Sequence, residues 1–137
     1  MTIFTKIVNN EIPSYKIYED DLFLAFLDIS QATKGHTLII PKKEYKNIFE
    51  MDDNTLSKMA ILIKKISIAL KKSLNIDGLN ILNNNEAVAG QTVYHFHVHL
   101  IPRYNNDNVE IHLPNNIDNL KEKDYKEIQN KIKEYLK

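Results

Sequence analysis

Three of the five histidines occupy alternate positions in one short segment, His95-Phe96-His97-Val98-His99-Leu100-Ile101. Alternation of imidazole and apolar residues predicts a β-strand over 95–101, because successive side chains of a strand point to opposite faces. The three histidines would then share one face, and the apolar residues between them would enter the core. Since unpartnered imidazoles are costly to bury, we expect this face to be hydrated or used in chemistry.

Two chemical interpretations of the histidine face compete with a structural one. Imidazoles two positions apart on a strand can converge on one metal ion. Alternatively, the central histidine is a nucleophile and its neighbours bind an anion. The third interpretation is a hydrated polar surface without chemistry. The alternation by itself leaves all three open.

The residues that precede the predicted strand favour an anion over a metal. Asn83-Asn84-Asn85 and Gly90-Gln91-Thr92 are neutral hydrogen-bonding segments, and Glu86 is the one acid between them. Neutral donors around a glycine turn suit phosphate oxygens, whereas a metal site would use nearby carboxylates or thiolates. His36, which follows Gly35 at the start of another predicted strand, could add a fourth imidazole or could be an ordinary strand-end histidine.

Composition limits the classes of partner. The 137 residues include 18 basic and 18 acidic side chains, so the net charge is zero and no extended basic surface for nucleic acid or membrane is expected. There is no cysteine to form a disulfide or supply a thiolate. No apolar run reaches the ~18–20 residues of a membrane span, and the first residues lack a signal-peptide core. We therefore expect a cytoplasmic protein.

The elements that must position these residues can be predicted from periodicity and turn residues. Apolar residues at helical spacing predict a long helix over 52–74, with Asp52, Asp53 or Thr55 as its cap. Strands are predicted at 15–19, 22–27, 36–40, 78–82 and 95–101, a short helical segment at 3–9, and an amphipathic helix at 124–136. Pro41 and Pro102 are expected to end the third and fifth strands. This order predicts an α+β fold with a five-stranded antiparallel sheet, one long helix and a C-terminal helix.

Several motifs in the same order resemble the histidine-triad (HIT) family, in particular bacterial members close to its Hint branch. The histidine segment fits the pattern His-Φ-His-Φ-His-Φ-Φ, in which Φ is apolar. The other matching segments are Ile3-Phe4, Glu11-Ile12-Pro13-Ser14, Tyr18-Glu19-Asp20, Phe26-Leu27-Asp28-Ile29-Ser30, Gly35-His36-Thr37-Leu38-Ile39-Ile40-Pro41-Lys42, Asn83-Asn84-Asn85, Ala89-Gly90-Gln91-Thr92-Val93 and Ile101-Pro102-Arg103-Tyr104. The resemblance implies a single HIT domain over 1–137, with its core at about 2–104 and a C-terminal extension and helix at 105–137.

The resemblance also implies a reaction. Family members act at the α-phosphate of a purine nucleotide, such as a derivative of AMP or GMP, through a covalent nucleotidyl-histidine, and they release a nucleoside monophosphate. His97 matches the nucleophile, and the backbone carbonyl of His95 matches the group that orients it. His99 and His36 match residues that contact the phosphate. The implied leaving group is an amine, as in a nucleoside phosphoramidate, or a nucleotide, as in a dinucleoside polyphosphate.

Substrate-binding residues are implied in the same way. Asp28 matches the carboxylate that takes the ribose hydroxyls; its alternative role is simply to cap a turn. The remaining matches donate hydrogen bonds to the phosphate or leaving group, or surround the base; they are Asn85, Gln91 and Thr92 in the first class and Ile3, Phe4, Phe26, Ile29 and Leu38 in the second. His112 lies outside the motifs and is expected on the surface.

One departure from the family pattern concerns zinc. Many bacterial relatives have two N-terminal cysteines and a histidine after the Pro-Lys segment, which form a structural zinc site near the triad. Thr2, Thr5 and Glu44 stand at those positions. We therefore expect no metal and no cofactor.

Two other functional classes stay open at this level. The family forms homodimers, so we expect one, and some relatives act in partner complexes. A nucleotide-binding interaction or regulatory protein with incidental activity is therefore the main alternative to a hydrolase. A histidine-based metalloenzyme is the third class, and it predicts activity that a chelator abolishes.

Overall fold

Five antiparallel strands form one sheet in the order β1-β2-β3-β5-β4. The computed structural model describes residues 1–136. The strands are β1 (Lys16–Glu19), β2 (Phe23–Leu27), β3 (Thr37–Pro41), β4 (Gly78–Leu82) and β5 (Val98–Arg103), and the helices are α1 (Ile3–Val8), α2 (Asp53–Leu74) and α3 (Glu122–Glu134). The predicted α+β class is confirmed, as are the five strands and both long helices.

The long helix α2 covers one face of the sheet. Asp52 caps its N-terminus by accepting a hydrogen bond from the backbone N–H of Thr55 at 2.8 Å, and Asn75 ends it in the left-handed conformation. Its apolar stripe packs on inward-facing strand residues. The core on this face contains Met59, Leu62, Ile66 and Leu70 from α2, with Phe23, Ala25, Ile39, Phe96, Val98 and Leu100 from the sheet side. The prediction that the residues between the histidines enter the core is therefore confirmed.

The short helix α1 covers part of the opposite face. Phe4 and Ile7 from α1 pack with Leu24, Phe26, Leu38 and Ile40 in a second apolar cluster. Because the two faces are both covered, β2 is buried along almost its whole length, as its continuous apolar sequence predicts.

The strand order brings two distant histidines together. After β3, helix α2 leads to β4 at the sheet edge, and β5 returns between β3 and β4. In this register Leu38 lies opposite His99, so the residues at the start of β3 are neighbours of the histidine segment. Residues about 60 positions apart in sequence thus meet on one face.

The fifth strand differs from its predicted bounds. It begins at Val98 rather than at residue 95, because residues 95–97 are held by contacts outside the sheet ladder, including the Phe96 N–H bonded to the Tyr45 carbonyl at 2.7 Å. It also continues through Pro102 to Arg103. Because β3 pairs with β5 only along Val98–Leu100, the missing N–H of Pro102 removes no hydrogen bond from the β3–β5 ladder. Pro41 is the last residue of β3, so this strand ends at the proline as predicted.

The C-terminal segment is mostly exposed. Helix α3 begins two residues earlier and ends two residues earlier than predicted, and its side chains are mostly exposed. His112 is exposed, as expected. Within residues 1–136 no helix combines the length and the hydropathy that crossing a membrane requires.

Candidate active site

A cavity of about 350 Å³ lies on the α1 face of the sheet, beside the histidine segment. Nine of the thirteen predicted site residues line it. They are Ile3, Phe4, Phe26, Asp28, Ile29, Leu38, Thr92, His97 and His99. The apolar members form the walls, and the two imidazoles and the carboxylate supply polar atoms. Concave apolar walls with a few convergent polar groups are typical of small-molecule sites.

A larger cavity of about 560 Å³ lies elsewhere, between α2 and the segment around Gly35. Its lining is mainly apolar, with the side chains of Lys34 and Lys65 at its edge. Since it contains neither an imidazole nor a carboxylate, we locate the chemistry in the smaller cavity.

His97 is held by its own chain. Its Nδ1 atom lies 2.7 Å from the carbonyl oxygen of His95. Because a carbonyl only accepts, Nδ1 carries the proton and donates it, and the lone pair of the neutral ring is on Nε2. The Asn83 amide donates to the His97 carbonyl at 2.9 Å, and the Phe4 ring packs edge-on at 5.0 Å between centroids. A neutral, oriented imidazole with a free lone pair is suited to nucleophilic attack.

The protonation of His36 and His99 follows from a chain of hydrogen bonds. The backbone N–H of Ala32 donates to Nδ1 of His36 at 3.1 Å, so the proton of the neutral His36 ring is on Nε2. That Nε2 lies 2.9 Å from Nδ1 of His99, to which it donates. His99 therefore carries its own proton on Nε2. The cavity thus contains a lone pair on one ring and an N–H donor on the next ring, with centroids 5.1 Å apart.

Burial keeps these imidazoles neutral. Removal from water lowers the pKa of His97 below its usual value, and the nearby Asp28 only partly opposes this. For His99, burial and then the neighbouring His97 and His36 lower the pKa to about 4. Burial also lowers the pKa of His36. At pH 7 these imidazoles are thus neutral donors and acceptors.

Asp28 has two roles in the structure. Its Oδ1 atom accepts the backbone N–H of Ser30 at 2.8 Å, which stabilises the turn that follows β2. Its Oδ2 atom lies 3.6 Å from Nε2 of His36, and the carboxylate lines the cavity. The turn cap considered in the sequence is present, and the carboxylate is also positioned to accept hydrogen bonds from a ligand.

Four predicted residues lie outside the cavity wall. Gln91 is buried in its own loop, where its amide donates to the carbonyls of Lys46 and Val93 and accepts from the Glu86 N–H. Asn85 bonds to Asn83 and to the Ile48 N–H. His36 contacts His99 rather than the cavity, and the ring of His95 is bonded to the Pro41 carbonyl, outside the cavity wall.

The ring of His95 lies on the α1 side of the sheet with the other two histidines, where it packs edge-on against Phe4 at 5.9 Å between centroids, but it does not line the cavity. It is fully buried, and both nitrogens have partners: Nε2 is 2.7 Å from the Pro41 carbonyl and Nδ1 is 3.1 Å from Oγ1 of Thr2. The side chains of residues 95–97 alternate between the two faces as predicted, although these residues precede the strand. Hydrogen bonds to both nitrogens offset the cost of burial.

The residues that replace the family's zinc ligands meet at His95. Oγ1 of Thr5 donates to Oε1 of Glu44 at 2.7 Å, and the Thr2 N–H donates to the same oxygen at 2.8 Å. Threonine hydroxyls are not among the usual zinc ligands, which are thiolates, imidazoles and carboxylates. This donor set does not fit a structural zinc ion.

A second group could in principle hold a metal. The ligand atoms of Asp28, His36 and His99 lie within 4.8 Å of one another. The facing nitrogens of His36 and His99 are 2.9 Å apart, shorter than the ~3.3 Å that tetrahedral zinc with bonds of about 2.0–2.1 Å would require. The distance and the fixed proton on His36 both favour a hydrogen-bonded pair.

Sequence reasoning missed part of the cavity wall. Ile7, Ile12, Ser14 and Val93 also line it. All four are in segments that match the family, Ile7 in a Lys6-Ile7 match that follows Ile3-Phe4, so the motifs carried information about this wall. The Ser14 hydroxyl is buried at this wall and has no hydrogen-bond partner within residues 1–136.

Comparisons with known proteins agree with this geometry. A family model described as the HIT domain matches residues 9–106. A crystal structure of a HIT family member from Bacillus subtilis is 42% identical, with a TM-score of 0.93 over 97% of this chain and 95% of that one. A histidine triad nucleotide-binding protein from Candida albicans is 33% identical, with a TM-score of 0.88 over 99% and 97%.

One curated relative has an activity in its name. The adenylylsulfatase HINT3 of Arabidopsis thaliana is 41% identical over 105 residues, which are 77% of this chain and 53% of that protein. This chain therefore matches about half of HINT3.

Proposed function

This chain belongs to the histidine-triad (HIT) family, and on that premise we propose that it cleaves purine nucleotides at the α-phosphate through a covalent intermediate on His97. The observation that carries the proposal is the hydrogen bond from Nδ1 of His97 to the His95 carbonyl, which leaves the lone pair on Nε2. An imidazole so oriented needs no further base to act as a nucleophile at neutral pH.

The reaction has two steps. In the first, Nε2 of His97 bonds to phosphorus, and the leaving group departs with the bonding electrons and takes up a proton from water. In the second, water attacks phosphorus, the Nε2–P bond breaks, and its electrons return to the ring. The nucleoside monophosphate keeps the hydroxyl group, and the remaining proton passes to solvent.

The neighbouring imidazoles stabilise the developing negative charge. The Nε2–H of His99 donates to a phosphate oxygen, and His36 holds His99 in the tautomer that makes this possible. A preorganised donor at a developing oxyanion contributes more than the same donor in water, because it does not have to reorganise during the reaction. Thr92 adds a hydroxyl at the same cavity. Asn85 and Gln91 would contribute to phosphate binding only after a local rearrangement.

The remainder of the cavity suits a purine nucleoside. Ile3, Phe4, Phe26, Ile29 and Leu38 form apolar walls against which a base can pack. The Asp28 carboxylate accepts the ribose hydroxyls. AMP, GMP and their derivatives are the ligands we assign to this site.

The leaving group is an amine or a nucleotide, which would make the protein a nucleoside phosphoramidase or a dinucleoside polyphosphate hydrolase. The name of HINT3 adds adenylyl sulfate to the substrates that need testing. All three carry a leaving group on the α-phosphate, so one mechanism serves them.

The test compares turnover of adenosine 5′-phosphoramidate, diadenosine tetraphosphate and adenylyl sulfate by the parent protein and by His97→Gln. We expect the parent protein to turn over at least one substrate. After rapid acid-free quenching, the mass of the parent protein should be increased by one nucleotidyl group. His97→Gln should show neither turnover nor the mass increase. Wild-type AMP binding that persists without turnover of any substrate would instead support the interaction-protein alternative.

We further propose that the protein forms a homodimer through β4. Within residues 1–136 neither sheet edge is paired, but β1 carries charged residues and a register irregularity, whereas β4 is Gly-Leu-Asn-Ile-Leu with Ile81 58% exposed. Uncharged edges invite pairing with another strand. Sedimentation of the parent and of Ile81→Lys would test this, with a monomeric parent contradicting it.

The single-domain organisation and the cytoplasmic location stay predictions.

A further inference from the structure

His95 occupies a position that the proposed reaction uses only through its backbone. The peptide between His95 and Phe96 lies outside the β5 ladder, so the sheet does not set the direction of its carbonyl. The carbonyl accepts from His97, and the N–H of the same peptide donates to the Tyr45 carbonyl at 2.7 Å. The buried ring of His95 is the remaining anchor of this peptide.

The hydrogen bonds around that ring admit one assignment of protons. Nε2 of His95 faces the Pro41 carbonyl at 2.7 Å and must carry the proton, so Nδ1 accepts. Oγ1 of Thr5 donates its single proton to the carboxylate of Glu44, 2.7 Å away. Its distance to Nδ1 is 3.5 Å, so it is a poor donor to the ring.

Thr2 is the donor that remains. Its Oγ1 accepts the Thr5 backbone N–H at 3.2 Å, which caps helix α1, and its proton is free to point at Nδ1 of His95, 3.1 Å away. The Thr2 backbone N–H is held by Glu44 at 2.8 Å. The hydroxyl is therefore fixed in place from two sides before it contacts the ring.

We propose that Thr2 is a positioning residue for the nucleophile: its hydroxyl fixes the orientation of His95, whose tautomer is set by the Pro41 carbonyl, and thereby the carbonyl that orients His97. Thr2 does not touch the cavity, so its effect is indirect. The same helix places Phe4 against His97, so the start of α1 sets both the nucleophile and part of the cavity wall. This inference rests on the proposed function of His97.

The test uses Thr2→Val, which removes the hydroxyl with little change of shape, Thr2→Ser, which keeps it, and Thr5→Val as a matched change in the same helix. For the best substrate we expect Thr2→Val to lower kcat by about 10-fold with KM within about 2-fold, since a misdirected nucleophile costs rate rather than binding. Thr2→Ser should restore most of the rate, and Thr5→Val should lose less than about 3-fold. Equal losses in Thr2→Val and Thr5→Val would overturn the assignment.

A second measurement does not depend on a variant that folds. The ¹⁵N shifts of the imidazoles in the parent protein report which nitrogen carries the proton, and we expect His95 to be protonated at Nε2 and unprotonated at Nδ1. A His95 ring protonated at Nδ1 would overturn the inference even if nucleotidyl-His97 forms. A parent protein that forms no nucleotidyl-His97 but shows the expected tautomer would refute the proposed function instead.

Discussion

Nε2 of His36 lies 2.9 Å from Nδ1 of His99, and the pair joins two strands that are neighbours only because β5 returns between β3 and β4. The backbone N–H of Ala32 fixes the far nitrogen of His36 as an acceptor. A main-chain donor outside the cavity thus determines which nitrogen of His99 presents a proton inside it. The geometry of a local turn therefore affects the cavity in which we propose that the phosphate binds.

Replacing His36 by Leu should allow His99 to populate both of its neutral tautomers. We expect turnover to fall by about 10-fold to 100-fold, because the Nε2–H donor of His99 is no longer selected over the Nδ1–H form. Steady-state turnover of the best substrate measures the loss. His112→Leu is the matched control, since that histidine is exposed and outside the site. Equal turnover in parent and His36→Leu would contradict the proposed role of the pair.

Turnover should persist to lower pH than a free imidazole would allow. Protonation of His97 removes the lone pair at Nε2, and burial places its pKa below the ordinary 6.5. The pKa of His99, lowered to about 4, lies further down. Turnover should therefore stay constant from pH 8 to below 6.5 and fall only as the pH drops through the lowered His97 pKa. A profile of kcat/KM against pH measures the midpoint, and a midpoint at or above 6.5 would contradict burial as the controlling factor.

Much of this architecture could be predicted because it follows from local pattern. The period of α2 and its Asp52 cap gave the helix within one residue, and the continuous apolar run of β2 gave a strand buried on both faces. The alternation around the histidines placed Val98 and Leu100 in the core correctly. The assignment to the HIT family needed the resemblance, because composition and periodicity carry no information about nucleotides.

The parts that could not be predicted depend on contacts between distant residues. His95 has the same spacing as His99, but its ring is buried between Pro41 and Thr2, which are 54 and 93 residues away in the sequence. Gln91 has the residue type of a phosphate donor, yet its amide is used by two backbone partners in its own loop and by the distant Lys46 carbonyl. Neither outcome is encoded in the spacing of the residues themselves.

Asp28→Asn separates the two roles of that residue. The amide oxygen can still accept the Ser30 N–H, so the turn is retained, but the charged acceptor for a ribose hydroxyl is lost. Hydrogen bonds to a charged group contribute about 1.5–3 kcal/mol, so we expect KM for a ribonucleotide substrate to rise by about 10-fold to 100-fold. The 2′,3′-dideoxy analogue is the control, and its KM should barely change. A similar change for both sugars would show that Asp28 does not bind ribose.

Gly35→Ala should destabilise the protein by about 2–3 kcal/mol, because two costs coincide at this residue. Gly35 has φ +98°, which disfavours any side chain, and a Cβ there would lie 2.5 Å from Cδ1 of Leu74 and 3.2 Å from Cγ of Pro102. Gly90→Ala is the control, since its φ of +96° carries a similar backbone cost while the nearest atom is 3.4 Å away. We therefore expect Gly90→Ala to cost only about 1 kcal/mol.

Urea unfolding of both variants measures the difference. The double variant Gly35→Ala, Leu74→Ala separates the cost of the backbone conformation from the cost of the contact with Leu74. Relief of the contact with Leu74 should make its loss smaller than the sum of the two single losses. Equal losses for Gly35→Ala and Gly90→Ala would show instead that the backbone conformation alone sets the cost.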